Sequence, residues 1–294
     1  MSTDFIQVLV SGLGQGSVYA LVALGMTLIY RSTTTLNFAH GSLFMLGPFL
    51  TIVLAGRGMP SGLALIVAVV VVGVLGVVID RLAFEPLLDK DHVTQVFATV
   101  AVGFILIGAA RYMTVDLRPM APLFADTPYT TIGGAVVGTQ YLVMIVTLVL
   151  VAALLAVFFL RTRVGLIVRA TTQNLRGAEL AGINVRRVFQ LMWGIGAFLA
   201  ALAGVLAGPT MLVSADMGER PMIIGLAAMV LGGFGKITGA VVGGLLLGLL
   251  ETFGAFYVST ALGDVTGLLV ILVVLVLRPS GLLGADDVKM AGAT

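Results

Sequence analysis

In 294 residues the chain is 59% hydrophobic and only 10% charged, with a mean hydropathy of +1.14. Such a composition lacks the polar surface a water-soluble globule needs, so the chain reads as an all-α polytopic membrane protein. Its net charge of +2 is spread over loops, which argues against nucleic acid as a partner. The absence of cysteine removes disulfides and thiolate chemistry, and two histidines, His40 and His92, cannot build a multi-histidine metal centre. With no convincing serine triad, carboxylate pair or dinucleotide loop, no catalytic residue, metal site or resident cofactor is assigned.

A helix needs about 20 mostly apolar residues to cross a ~30 Å hydrocarbon core, and strand-like alternation is absent. Candidate spans in chain order are 5–30, 36–55, 61–79, 93–110, 140–160, 188–212, 221–234, 238–258 and 265–277. The first follows Asp4 with no basic residue before it, so it is expected to be a retained span and not a cleaved signal. The segment 111–139 holds Pro119, Pro122, Pro128 and Gly133-Gly134, the mark of a turn-rich external loop with room for a short hairpin or surface helix. Arg278-Pro279-Ser280-Gly281 should stop the last helix ahead of a polar tail from Asp286.

The segment 161–187 is a polar island with six arginines and one acid, Glu179. Placing it in the cytoplasm puts the N-terminus outside and the C-terminus inside. Of sixteen Lys and Arg residues, only Arg57, Arg111, Arg118 and Arg220 then fall outside, in accord with the positive-inside rule. The expected architecture is a single membrane domain, residues 1–294, of eight or nine transmembrane helices with short Gly-interrupted half-helices. Inside the island, Asn174 can cap a helix over 175–181, Gly182 can supply a left-handed stop and Asn184 can cap the following span. That order suits a surface helix fitting a soluble partner, with Arg169, Glu179 and Gly182 at its centre. An ordinary arginine loop against anionic lipid headgroups is the plainer alternative.

Asn37-Phe38-Ala39-His40-Gly41 places an amide and an imidazole at the start of an apolar run. It reads equally as a broken helix lining a solute path and as a simple helix-start cap. Glu251, expected near the middle of its span, is a second functional candidate that a hydrogen bond to a neighbouring helix would equally explain. Gly232-Gly233-Phe234-Gly235-Lys236-Ile237-Thr238-Gly239 is no phosphate loop, since Val230 and Ile237 stand where glycine and Ser or Thr would be needed. It is expected to be a break joining two half-helices, with Gly235, Gly239 and Gly243 forming a packing stripe like Gly12/Gly16 and Gly204/Gly208. The two breaks, at His40-Gly41 and at Gly235-Lys236, lie in opposite halves of the chain and suggest an internal repeat around a central path.

Taken together, several runs resemble the LivH-type permease of branched-chain amino acid ABC importers. They are Gly16-Ser17-Val18-Tyr19-Ala20-Leu21, Leu24-Gly25-Met26-Thr27-Leu28-Ile29-Tyr30, Asn37 to Gly41, Arg169-Ala170 with Ala181-Gly182-Ile183-Asn184-Val185, and Gly232 to Gly235 continuing to Gly239-Ala240. The likeness runs in order over 5–284. It implies an inner-membrane permease subunit working with a second, LivM-like permease, two cytoplasmic ATPases that bind ATP and Mg, and a periplasmic or lipid-anchored solute-binding protein. By the same likeness, 169–185, including Arg169, Ala170, Asn174, Glu179, Gly182 and Asn184, contacts the ATPase. The importer loop pattern is only partly kept, because no Leu-Pro follows Glu179-Leu180-Ala181-Gly182. Relatives of this type also carry urea, amides, aromatic acids, sugars or nucleosides, and a stand-alone channel is the alternative from another class.

Overall fold

The computed structural model describes residues 3–113, 118–122, 126–278 and 280–283, so the tail expected from Asp286 lies outside the described residues. Among these residues there are eleven α-helices and two small two-stranded sheets. Six helical stretches are long and apolar enough to cross a membrane.

The helix α1 (Thr3–Thr33) is the axis of the molecule, its central turns fully enclosed. It packs most extensively on α10 (Ile237–Tyr257), and then on α8 (Val185–Ala207). In lipid the apolar transfer term between helices largely vanishes, so association must come from close packing. The glycine stripes supply it: a Cβ at Gly16 would sit 2.9 Å from Leu245 Cα, and one at Gly248 would sit 2.2 Å from Gly16 Cα. The same closeness holds where Gly239 and Gly243 meet α9 (Glu219–Gly232). Gly235 departs from the expected stripe: it stands before α10 at φ +73°, beside Tyr30 and Arg31.

Helix contacts recur in pairs. As α1 packs on α10, so α8 packs on α3 (Ser61–Ile79); as α2 (His40–Gly56) packs on α8 and α3, so α9 packs on α1 and α10. α2 also touches α4 (His92–Met113) as α9 touches α11 (Thr260–Leu277). The units α1–α4 and α8–α11 are therefore related, and they run in opposite directions. α1 starts beside the hairpin β2 (Tyr129–Ile132) and β3 (Ala135–Gly138), where a Cβ on Gly134 would lie 3.6 Å from Thr3. α8 starts at the opposite end, where Arg186 pairs with Glu85 at 2.9 Å. We call these the hairpin end and the island end.

The hairpin turns through Gly133 and Gly134 at φ +57° and +86°, the left-handed pair that a two-residue connection requires. β1 (Arg118–Pro119) pairs with β4 (Leu212–Val213) at the same end. Helix α5 (Thr139–Arg161) stands between the two units and belongs to neither. It leads into α6 (Arg163–Gln173) and α7 (Leu175–Leu180). Beyond α3 the chain continues as a widened turn over Asp80–Phe84, which carries Phe84 onto the indole of Trp193 with ring centroids 4.3 Å apart.

Candidate translocation site and coupling surface

The expected span 36–55 is not one helix: residues 34–39 are irregular and α2 begins only at His40. Irregular backbone inside an apolar protein needs partners, and α4 provides them. Thr35 Oγ1 donates to Gln95 Oε1, the Phe38 N–H donates to Thr99 Oγ1 at 3.0 Å, and Ser42 Oγ donates to the Gly103 carbonyl at 3.1 Å. Asn37 Oδ1 accepts the Ala39 N–H at 3.0 Å, while its Nδ2 is buried without a partner. That amide borders a small void of about 30 Å³ lined also by Met26, Phe38 and Met222.

His40 is completely buried, its ring pressed on α1 where a Cβ at Gly25 would lie 2.7 Å from the imidazole Cε1. It thus fills the core between α1 and α2, so a solute route past its ring would need that packing to open. Gly41 has a different role. Its backbone abuts Gly218, the residue that precedes α9, so closely that a Cβ at Gly218 would fall 1.9 Å from the Gly41 carbonyl oxygen. From this shared point α2 runs toward the hairpin end, where Pro48 lies beside Gly208, and α9 runs toward the island end, where Gly235 lies beside Arg31. Two short helices therefore start back to back in the middle of the protein and diverge. Beside their starts opens a cavity of about 260 Å³ bordered by Phe38, Ser42, Gly103, Phe104, Glu219 and Met222. The positive dipole ends of both helices meet here, with one carboxylate, Glu219, in the first turn of α9.

The expected mate of the His40-Gly41 break was Gly235-Lys236; the geometry makes it Gly218-Glu219 instead. The glycine segment 232–239 is the far-end turn of α9, with Gly233 at φ +103°, and it joins a half-length helix to the full-length α10. Lys236 Nζ there donates to the Leu283 carbonyl.

Glu251 lies near the hairpin end of α10 and is no isolated acid. Arg220 donates to its Oε1 at 2.7 Å and to the Gly263 carbonyl at 3.2 Å, and the Tyr19 hydroxyl, which accepts from Gln15 at 3.0 Å, also bonds to Glu251. The Arg220–Glu251 pair so ties α1, α9 and α11 to α10. Its side chain is 13% exposed against 50% for Arg220. Arg220→Gln should therefore strand a mostly buried carboxylate and cost about 2 kcal/mol, discounted from a fully buried pair for the exposed guanidinium. The Arg220→Gln/Glu251→Gln double variant should lose less than the sum of the singles in thermal unfolding in detergent. Additive losses would remove the coupling.

In the island, Asn174 Oδ1 accepts the Gly177 N–H at 2.8 Å and caps α7, Gly182 has φ +77°, and Asn184 Oδ1 accepts the Arg187 N–H at 3.2 Å and caps α8. Each such cap stabilises by about 1 kcal/mol. Glu179 and Leu180 are exposed on α7, and Leu180 is a large apolar side chain left 85% bare at a polar surface. Arg169 and Ala170 fall on α6 and not on α7, and Arg169 turns into the bundle.

These features can be set beside known proteins. Residues 8–277 match the family described as branched-chain amino acid transport system, permease component. The chain belongs to this family. A high-affinity branched-chain amino acid transport system permease protein, BraD of Pseudomonas aeruginosa, is 32% identical over 97% of both chains. LivH of Escherichia coli (strain K12), of the same description, is 31% identical over 97% of both. A more distant relative is the ribose import permease protein RbsC of Haemophilus influenzae, 26% identical over 85% of this chain and 79% of that one. The permease is thus a multi-pass membrane protein whose motifs at the α2 start and in the island sit within the matched region.

Proposed function

We propose that this permease is one membrane half of an ATP-driven importer of branched-chain amino acids, moving solute by alternating access. The observation that carries the reading is the meeting of α2 and α9 at Gly41 and Gly218, between two oppositely directed units and beside a cavity. Discontinuous helices that start together at a repeat interface are the usual seat of a transported solute. The cavity suits a zwitterion: the starts of α2 and α9 toward its carboxylate, Glu219 toward its ammonium. The relatives' description favours branched-chain amino acids over the sugar carried by the more distant ribose permeases.

In this reading the chain crosses the bacterial inner membrane nine times, counting 34–56 and 208–232 as broken crossings, with the N-terminus outside and the island inside. A second, LivM-like permease completes the path. Two cytoplasmic ATPases bind ATP and Mg and grip α7 through Glu179, Gly182 and the capped turns at Asn174 and Asn184, and a periplasmic or lipid-anchored binding protein delivers solute. Because the natural chain has no cysteine, single cysteines report sidedness cleanly. Tyr129→Cys should react with an impermeant maleimide in intact cells and Arg176→Cys should not; reaction at 176 would overturn the orientation. Proteoliposomes holding the assembly should take up leucine, and not ribose, when the loaded binding protein and ATP are present. Uptake without ATP would favour a channel.

A further inference from the structure

The helix α5 forms a groove on each side, one with α3 and α8 and one with α1 and α10, and only the second is charged. The α1/α5/α10 groove has a volume of about 470 Å³. Leu24, Ala152, Ala156 and Val241 line its length, and Arg31 and Arg169 close its island end. Along α5 it extends from Ala152 to Leu160, about 12 Å at helical rise and close to the depth of one bilayer leaflet. Neither arginine has an ion-pair partner among the described residues, and Arg169 Nε is buried with no hydrogen-bond acceptor. A guanidinium turned into an apolar groove calls for an anion to offset its lost hydration.

We propose that this groove binds an anionic phospholipid from the island-side leaflet, with an acyl chain between α1, α5 and α10 and the phosphate held by Arg31 and Arg169. A slot that is apolar along its length and doubly cationic at one end has the layout of an amphiphile. A soluble anion would leave the length unfilled, and an apolar helix would leave the charges unmet. The groove of about 480 Å³ on the other face of α5 has no charged residue in its lining and serves as an internal control. Arg169 sits on α6, immediately ahead of α7, so a bound headgroup would set the resting position of the segment proposed to meet the ATPases. Lipid binding itself does not depend on which solute is carried.

The test is lipid retention by the full chain, purified with the subunits that accompany it from membranes supplied with equal phosphatidylglycerol and phosphatidylcholine, and quantified by mass spectrometry. The wild type should retain phosphatidylglycerol in preference, and Arg31→Gln with Arg169→Gln should reduce that preference roughly 30-fold. Arg31→Lys with Arg169→Lys should keep most of it, which separates charge from folding. Ala156→Phe, which fills the groove, should lower retained phosphatidylglycerol, while Val74→Phe in the control groove should not. The proposal is overturned by wild-type retention in the supplied proportion, by an unchanged preference in the double glutamine variant, or by a cross-link placing a partner helix in the groove. Leucine uptake is a separate readout, so a failure of the lipid site leaves the transport reading standing.

Discussion

Gly218→Val is expected to abolish solute uptake and to lower the thermal stability of the permease. A Cβ at this position would lie 1.9 Å from the oxygen and 2.6 Å from the carbonyl carbon of Gly41, so the clash is with backbone and no rotamer change relieves it. The starts of α2 and α9 must then separate, and they border the cavity proposed to hold the solute. Overpacking of this kind costs about 1–3 kcal/mol, and alanine should already show part of it. Gly108 provides the contrast, since a Cβ there meets nothing within 4 Å. Gly108→Ala on α4 should leave uptake intact and stabilise slightly. Wild-type uptake in proteoliposomes by Gly218→Val would show that the contact of the two half-helices is dispensable.

A second large effect is expected at Gly182. This residue ends the α7 turn at φ +77°, yet the space around its missing side chain is empty. A bulky residue would therefore meet backbone strain of about 1–2 kcal/mol and no internal clash. Gly182→Trp should insert and fold, but it should eliminate solute-stimulated ATP hydrolysis because the indole projects where the ATPase is proposed to sit. Gly182→Asn is the discriminating partner. Asparagine tolerates the left-handed conformation, so stimulation should stay within about twofold of wild type. Equal stimulation in the tryptophan variant would remove the docking role from this turn.

Much of the fold was legible because the physics is local. Apolar runs of membrane length became α1, α3, α4, α5, α8 and α10 with small shifts of their ends, and the short run 265–277 became the greater part of α11. The caps at Asn174 and Asn184, the stop at Gly182 and the Gly133-Gly134 hairpin rest on side-chain or φ requirements that a few neighbouring residues specify. What could not be read is what depends on pairing at long sequence separation. Gly41 and Gly218 carry no shared motif, and the nearest local signal was Gly218-Glu219 ahead of a proline early in the next helix. For Glu251 a bond to a neighbouring helix could be anticipated, but not that Arg220 on α9 would make it. Arg169 sat among island arginines in sequence, and only the fold turns it away from them.

The three bonds that α4 makes to the entry of α2 come from Gln95, Thr99 and Gly103, a single stripe at four-residue intervals. Sliding one element past the other by a turn would strand donors and acceptors of both in an oily interior, at a cost of roughly 1–3 kcal/mol for each orphaned group. The pair is consequently latched and should travel as one rigid body through the transport cycle. Among the described residues no backbone hydrogen bond joins Gly41 to Gly218, and the slippage of the proposed cycle is expected at that glycine seam.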